Sequence, residues 1–401
     1  MSSGLVLNAL RESQLKNTIN SEVIIPFGIY DLAKFGNNFN LFRDTLRATP
    51  KNTLSGTVFS KSLRFQIDRY ATLSSMAIKT VLSVVSSATM GTASNDRFGA
   101  KLFSQIEFKC LGRTIQTNYP LSILQSINDS DVEIMQKYVN ATSVVMPTTA
   151  TTQAVTVYTP LFWFFDQDKD YWLDFAFLEQ CEIHATFNSE AALFKSTGSA
   201  LTSLSYTSSE LVTNFIVLPN EIQDEVNQKN LNSPEPYSSV GYDFHQESVA
   251  THTIVAGDIT AGIYDFVLPA STNKHITMDS VFRCRNTLTN LEVPVERLQV
   301  SASGKTIVDV YQDETMLNDG RLGIHLGSSD LTTTLYYGID KAKYTPGNFP
   351  AADLNNVVYT VTIDTSAVSG TPVLELTYGH SYNKMISING GNGVLDSGIS
   401  S

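Results

Sequence analysis

The chain has 401 residues and a net charge of −12, with 42% hydrophobic, 10% aromatic and only 16% charged residues. This composition excludes a disordered or coiled-coil protein, and the length exceeds the ~250–300 residues at which one hydrophobic core stops growing. Because the 27 Lys and Arg form no basic run, we expect two folded domains that make no sequence-specific contact with nucleic acid.

Residues 1–50 show no sustained alternation of apolar and polar residues, and we predict that they form an N-terminal arm and lead-in. Within them, Leu5, Leu7 and Leu10 form an apolar cluster that is too short to fold alone. We expect this cluster to dock on a neighbouring subunit, which makes the three leucines interface candidates. The first residues lack a basic stretch followed by a long apolar run, so no secretory signal is expected.

From residue 53 onward the sequence alternates with period two, which places apolar side chains on one face of a strand. The apolar positions of the earlier runs are Phe65 and Ile67, then Ile106, Phe108 and Cys110, then Cys181, Ile183, Ala185 and Phe187. Those of the later runs are Tyr264, Phe266 and Leu268, then Ile276, Met278 and Phe282, then Val357, Tyr359, Val361 and Ile363, then Leu374, Leu376 and Tyr378. Many short strands separated by turns predict an all-β protein built from sandwiches or barrels.

Few helices are expected. Ser130 and Glu133 have the spacing of a capping box and predict a short helix near 131–139. A second helix is predicted after Asn220, and it is followed by a stretch rich in Asn, Ser and Pro. We therefore divide the chain into a first barrel over 51–220, a linker helix and loop over 221–238, and a second barrel over 239–401.

Two segments partly match sites that bind ions or phosphate. Asp166, Asp168 and Asp170 have the spacing that opens a calcium-binding loop, but Tyr171 stands where that loop needs Gly. Gly304 begins the Gly-Lys-Thr tail of a phosphate-binding loop, but its first Gly is missing and a strand follows instead of a helix. We interpret the first segment as an acidic turn between strands and the second as a hairpin turn.

The remaining reactive side chains do not form a recognisable catalytic set. The six histidines include no pair spaced as zinc ligands on a helix, and no nucleophile elbow occurs. Cys110, Cys181 and Cys284 are far apart in the sequence and lie in apolar alternating segments, so we predict buried, reduced thiols made in a cytosol. We predict no enzyme activity, no metal and no cofactor.

The aromatic segment Leu161–Phe165 is apolar at every position. In a regular strand, Phe162 and Phe164 point away from the face that Trp163 shares with its apolar neighbours. One face would then fill the barrel, and the other would meet a sister barrel or an adjacent subunit. Phe162, Phe164 and the nearby Trp172 are therefore further interface candidates.

Four segments of the chain resemble segments of one protein family. Two other stretches, one before residue 355 and one at the linker, match the pattern of that family only in part. The four segments are Phe103–Pro120, with Phe-Ser-Gln-Ile-Glu before a Gly turn; the aromatic strand and returning strand of Pro160–Phe187; Asn214–Lys229; and the C-terminal Tyr378–Val394. In these segments the sequence resembles the double jelly-roll major capsid proteins of tailless icosahedral viruses. That group includes virophages, polinton-like viruses, nucleocytoplasmic large DNA viruses and phages with an internal membrane.

The resemblance implies two tandem eight-stranded jelly rolls and a structural function. Three chains would form a homotrimeric, pseudo-hexagonal capsomer that tiles an icosahedral shell around the genome. Its implied partners are neighbouring capsomers, separate penton and minor capsid proteins and, in some members, an internal membrane. The implied location is the virion, after synthesis in the host cytoplasm.

Two other functions remain open from the sequence. A carbohydrate-binding jelly-roll spike or receptor-binding protein would use exposed aromatics beside Asp, which the segment Phe162–Trp172 could supply. A cupin-like metalloenzyme would need clustered His and carboxylate residues, and the sequence shows no such cluster.

Overall fold

A computed structural model of the chain describes residues 42–86, 97–128, 132–144, 152–163, 173–175, 178–189, 193, 201–217, 237–246, 250–269, 277–288, 292–312, 334–338, 357–366, 368–389 and 394–398. These residues form four antiparallel sheets and a few short helices. The second predicted helix and the Asp166 turn lie outside the described residues.

Two sheets form the first barrel. Its strands are β1 (Phe42–Ala48), β2 (Ser62–Gln66), β3 (Thr72–Ser86), β4 (Phe103–Cys110), β5 (Arg113–Asn118), β6 (Thr152–Leu161), β7 (Leu173–Asp174), β8 (Cys181–Phe187) and β9 (Leu201–Val217). Sheet A has the order β1-β9-β3-β6, with the short β7 also paired to β3, and sheet B has the order β2-β8-β4-β5.

Two further sheets form the second barrel. Its strands are β10 (Tyr237–Gln246), β11 (Ala250–Thr253), β12 (Ile263–Pro269), β13 (Thr277–Asn286), β14 (Glu292–Val293), β15 (Val295–Ala302), β16 (Lys305–Tyr311), β17 (Thr334–Gly338), β18 (Val357–Asp364), β19 (Val373–Asn389) and β20 (Val394–Gly398). In sheet C, β10, β11, β13 and β20 pair with β19, while β14 and β17 pair with β13. Sheet D has the order β12-β18-β15-β16.

The two barrels share one connectivity. Without the short β7, β11, β14 and β20, each has eight strands, and one sheet holds the first, eighth, third and sixth while the other holds the second, seventh, fourth and fifth. This interleaved order is that of a jelly roll, in which long connections cross between two facing sheets. The predicted all-β fold with two eight-stranded jelly rolls is confirmed.

Each barrel has its own hydrophobic core, and the strand alternation explains both. In the first barrel the predicted inward positions of β2, β4 and β8 are buried, as Phe65, Phe108 and Ile183 illustrate. In the second barrel the predicted inward positions of β19 are buried, as are most of those of β12 and β18, including Phe266 and Val361, whereas Tyr264 is half-buried. The period-two pattern therefore located the core faces in both halves.

The ends of the barrels differ from the predicted boundaries. Strand β1 lies inside the segment 1–50 that we assigned to an arm, and it pairs with β9 from Phe42↔Val217 to Ala48↔Leu211. The first sheet thus begins before residue 51. Strand β10 likewise begins at Tyr237, within the predicted linker.

The described helices are short and lie in connections between strands. They are α1 (Phe98–Lys101), α2 (Pro120–Asn128), α3 (Val132–Thr142) and α4 (Ala256–Ala261). Helix α3 confirms the helix predicted near 131–139. Among the residues described, no helix is long and apolar enough to span a membrane.

Candidate assembly interfaces

The first candidate interface is the junction between the two barrels. Cα atoms of β10 and β20, in sheet C, lie within 8 Å of Cα atoms of β5, at the end of sheet B's strand order. Helix α2 of the first barrel similarly approaches β19. The C-terminal strand β20 pairs with Met385–Asn389 of β19, so the last described part of the chain lies at this junction.

A buried carboxylate joins the barrels electrostatically. The Glu292 side chain, on β14 of the second barrel, is only 4% exposed. It forms an ion pair with Arg283 of its own barrel, and its Oε1 lies 3.8 Å from Nζ of Lys101, in the first barrel. Buried charges are costly unless they are paired, so this arrangement favours one relative position of the two barrels.

The short helix α1 places Lys101 at the junction. Its second residue, Gly99, packs so closely on β6 that a Cβ atom there would overlap the carbonyl oxygen of Tyr158. The Thr159 hydroxyl also donates a hydrogen bond to the Gly99 carbonyl oxygen, at 2.6 Å. The backbone of α1 is therefore fixed against β6, and Lys101 projects from its end.

The second candidate interface is the outer face of β12, at one end of sheet D's strand order. Tyr264, Phe266 and Leu268 alternate inward as predicted. On the outer face, Ile263 is 48% exposed and Val267 is 66% exposed. This exposed pair was not predicted, although the sequence carries its signal: Ile263 and Val267 flank Asp265 on the face of β12 opposite the predicted core positions.

The aromatic segment after β6 differs from its prediction. Phe162 is buried, and its ring meets that of Tyr138 on α3 edge-to-face, with centroids 5.2 Å apart. Trp163 is fully buried beside Phe108. Every residue from Thr159 to Trp163 is buried, because regular alternation is lost in the last residues of β6 and the strand ends at Leu161.

Phe162 is thus covered by a helix of its own barrel. The surface that covers it is therefore not the second barrel, which was one of the two surfaces expected. The burial of Phe162 and Trp163 also removes them from the exposed aromatic platform that a carbohydrate-binding site would need. The other interface candidates, Leu5, Leu7, Leu10, Phe164 and Trp172, lie outside the described residues, and their roles stay predictions.

A charged cluster on the outer face of sheet B links neighbouring strands. Glu182 on β8 accepts two hydrogen bonds from the Arg64 guanidinium on β2, at 2.9 and 2.6 Å. The carboxylate also lies 3.0 Å from Nε2 of His184. These hydrogen bonds lower the pKa of Glu182, and the bond from Arg64 has the largest effect. Partial burial of the carboxylate opposes the shift.

The cysteines are buried and free, as predicted. Burial raises the pKa of Cys284 to about 12, so that thiol is protonated at neutral pH. The other two are not far apart in space, because β4 and β8 are neighbours and Cys110 pairs directly with Cys181.

The phosphate-loop-like segment is a hairpin turn, as predicted. Ser303 and Gly304 connect β15 to β16 with positive φ values of 48° and 78°. In the part of the chain that the structure describes, no three His, Cys, Asp or Glu side chains are grouped to hold a metal ion.

No protein-family profile and no curated protein sequence matches the chain. Solved structures do resemble it over almost its whole length. PBCV-1 VP54, as fitted into a reconstruction of the virophage Sputnik, aligns with a TM-score of 0.64 and 11% identity over 90% of this chain and 97% of that one. The Faustovirus major capsid protein aligns with a TM-score of 0.58 and 10% identity over 96% of this chain and 98% of that one.

The mavirus major capsid protein aligns with a TM-score of 0.56 and 8% identity over 96% of this chain and 92% of that one. Identities this low show similarity of fold. Since the strand order of both barrels and these alignments agree, the chain has the double jelly-roll fold found in viral major capsid proteins.

Proposed function

We propose that the chain is the major structural protein of an icosahedral virus capsid and has no enzymatic role. The observation that carries this proposal is the repeated jelly-roll connectivity, aligned with nearly the full length of known major capsid proteins. A jelly roll keeps most strand edges inside two packed sheets, so a protein present in many copies resists fibre-like pairing while its loops remain free for contacts.

In this proposal three chains form a homotrimeric capsomer with six barrels in a pseudo-hexagonal outline. Symmetry then orders many weak contacts between capsomers into a closed shell. The fixed junction at Glu292 supports this assignment, because two barrels must keep one relative position to supply two corners of a hexagon.

The proposed location is the virion, after synthesis in the host cytoplasm, which fits three buried cysteines without a disulfide. Partners would be neighbouring capsomers, penton and minor capsid proteins, and an internal membrane if the virus has one. The arm before β1, with Leu5, Leu7 and Leu10, would contact a neighbouring chain or the inner side of the shell.

The direct test is the oligomeric state of the purified protein. We expect size-exclusion chromatography with light scattering to give three times the chain mass of 44.0 kDa, and negative-stain images to show hexagonal outlines. A monodisperse monomer at micromolar concentration would contradict the proposed capsomer. Binding on a sugar array by such a monomer would favour the carbohydrate-binding alternative.

The exposed apolar pair on β12 gives a sharper test of the contact between chains. We predict that Val267→Asp weakens the trimer, because it replaces an exposed apolar side chain with a second carboxylate beside Asp265, on a face that a second copy would cover. Leu288→Asp is the matched control, since Leu288 is also exposed, at 72%, but lies in a turn. Unchanged trimer dissociation in Val267→Asp, measured by mass photometry on dilution, would exclude β12 from the interface.

A further inference from the structure

Two cysteines meet at the end of sheet B. Cys110 is the last residue of β4 and Cys181 is the first residue of β8, and the two residues are paired across the strands. Their Sγ atoms lie 3.2 and 3.8 Å from the same acceptor, the carbonyl oxygen of Glu179. Both side chains are buried, so the two thiols share one small site in the barrel interior.

The backbone pattern gives this pair the spacing of a disulfide. The amide of Leu111 donates a hydrogen bond to the carbonyl oxygen of Gln180, at 3.3 Å. Hydrogen-bonded and non-hydrogen-bonded pairs alternate along antiparallel strands, so the adjacent Cys110–Cys181 pair is non-hydrogen-bonded. Such pairs have Cα atoms about 4.5 Å apart, and disulfides span Cα separations of about 4.4 to 6.8 Å.

The site is buried but lies next to the surface. A side-chain hydrogen bond with Cys110, together with burial, raises the pKa of Cys181, so the thiolate that attacks an oxidant is rare at neutral pH. Immediately beyond the pair, Leu111 is exposed, and both Leu111 and Gln180 have positive φ. Transient opening of these strand ends would admit a small reagent.

We propose that Cys110 and Cys181 form an oxidisable site that closes to a cross-strand disulfide in the folded protein. The oxidant is a low-molecular-weight disulfide. One Cys thiolate attacks it and releases one small thiol, and the second Cys then attacks the mixed disulfide and releases another. One S–S bond forms, one is broken, and the two electrons lost by the cysteines reduce the oxidant to two thiols.

The disulfide would tie β4 to β8 across the long stretch of chain that separates Cys110 from Cys181 in the sequence. A link over a long loop constrains the unfolded chain more than a short one does. If the protein is a capsid component, as proposed above, the pair would be reduced during synthesis in the cytosol and would close after the particle leaves the cell. The oxidation chemistry itself does not depend on that role.

The test is a count of free thiols in the folded protein before and after incubation with 2-hydroxyethyl disulfide. Each sample is alkylated under denaturing, non-reducing conditions and its intact mass is measured. We expect three adducts before oxidation and one afterwards, on Cys284. Peptide mapping should show a Cys110–Cys181 cross-link that disappears on reduction.

Two variants complete the test. Cys284→Ser should retain the cross-link and show no adduct after oxidation, whereas Cys181→Ser should lose the cross-link and leave Cys110 either alkylated or held as a mixed disulfide with 2-mercaptoethanol. Three labelled thiols in the oxidised wild-type protein, or a cross-link to Cys284, would overturn the proposal. The measurement needs only the isolated folded chain, so a negative result here is separate from failure to form trimers.

Discussion

At the scale of single residues, Gly99 shows how one missing side chain sets a long-range contact. The close approach of α1 to β6 requires a residue without a Cβ, because that atom would overlap the Tyr158 carbonyl oxygen. Since Lys101 ends the same helix, Gly99 indirectly fixes the cation that faces Glu292.

We predict that Gly99→Ala destabilises the first barrel by about 1–3 kcal/mol, the usual cost of overpacking. The matched control is Gly257→Ala in α4, where a new Cβ meets nothing within 4 Å and should be neutral or slightly stabilising. Urea denaturation gives both free energies of unfolding. Equal midpoints for the two variants would show that α1 can move away from β6 without cost.

At the scale of elements, alternation predicted strand faces well but not strand ends. The inward residues of β4 and β8 were predicted correctly because their outward neighbours are polar. Strand β1 was not predicted because its sequence, Phe-Arg-Asp-Thr-Leu-Arg-Ala, does not alternate strictly. Its strand conformation comes from its pairing with β9, which lies far away in the sequence. The burial of Phe162 was not predicted because the period-two pattern of apolar residues does not show where regular alternation ends.

Sheet B also carries a pH-dependent contact. The hydrogen bonds from Arg64 hold the pKa of Glu182 below its ordinary value of 4.5. A carboxylate with a lowered folded-state pKa stabilises the fold fully above the unfolded value. That contribution is lost as the pH falls from about 4.5 through the lowered folded value.

We therefore predict that Glu182→Gln lowers the melting temperature at neutral pH and that its effect shrinks as the pH falls below about 4.5, because the wild-type carboxylate then becomes protonated as well. Thermal unfolding at a series of pH values measures the difference. Glu210→Gln serves as the control, because the Glu210 ion pairs with Arg47 and Lys79 are longer, at 3.3 and 3.4 Å. If the difference in melting temperature between Glu182→Gln and the wild-type protein stays constant with pH, the role assigned to this carboxylate is contradicted.

At the scale of the whole molecule, two different sequences fold to one connectivity and are joined by a contact that no local pattern reveals. Lys101 and Glu292 lie in different barrels, and neither has a sequence neighbour that marks it as a junction residue. The two-barrel fold was predictable from periodic strands and the family resemblance. The junction was not, because it depends on how two finished barrels meet.

We predict that Lys101→Met uncouples the barrels, so that calorimetry resolves two unfolding transitions where we expect one for the wild-type protein. The cost should stay below the ~3–5 kcal/mol of breaking a buried ion pair outright, because Arg283 still faces Glu292. Lys109→Met is the control, since its 3.1 Å pair with Glu107 lies within one strand. Identical single transitions for both variants would show that Lys101 does not couple the barrels.

The pairing of β1 with β9 has a consequence for folding during synthesis. Phe42 and Val217 are partners, so the first barrel closes only when its last strand leaves the ribosome. Such high contact order makes closure slow, and until then β3 lacks its β9 neighbour and exposes an open edge to other nascent chains. The N-terminal barrel can nevertheless close before the second barrel has left the ribosome, so we expect the contact of Lys101 with Glu292, and with it the docking of the two barrels, to form last.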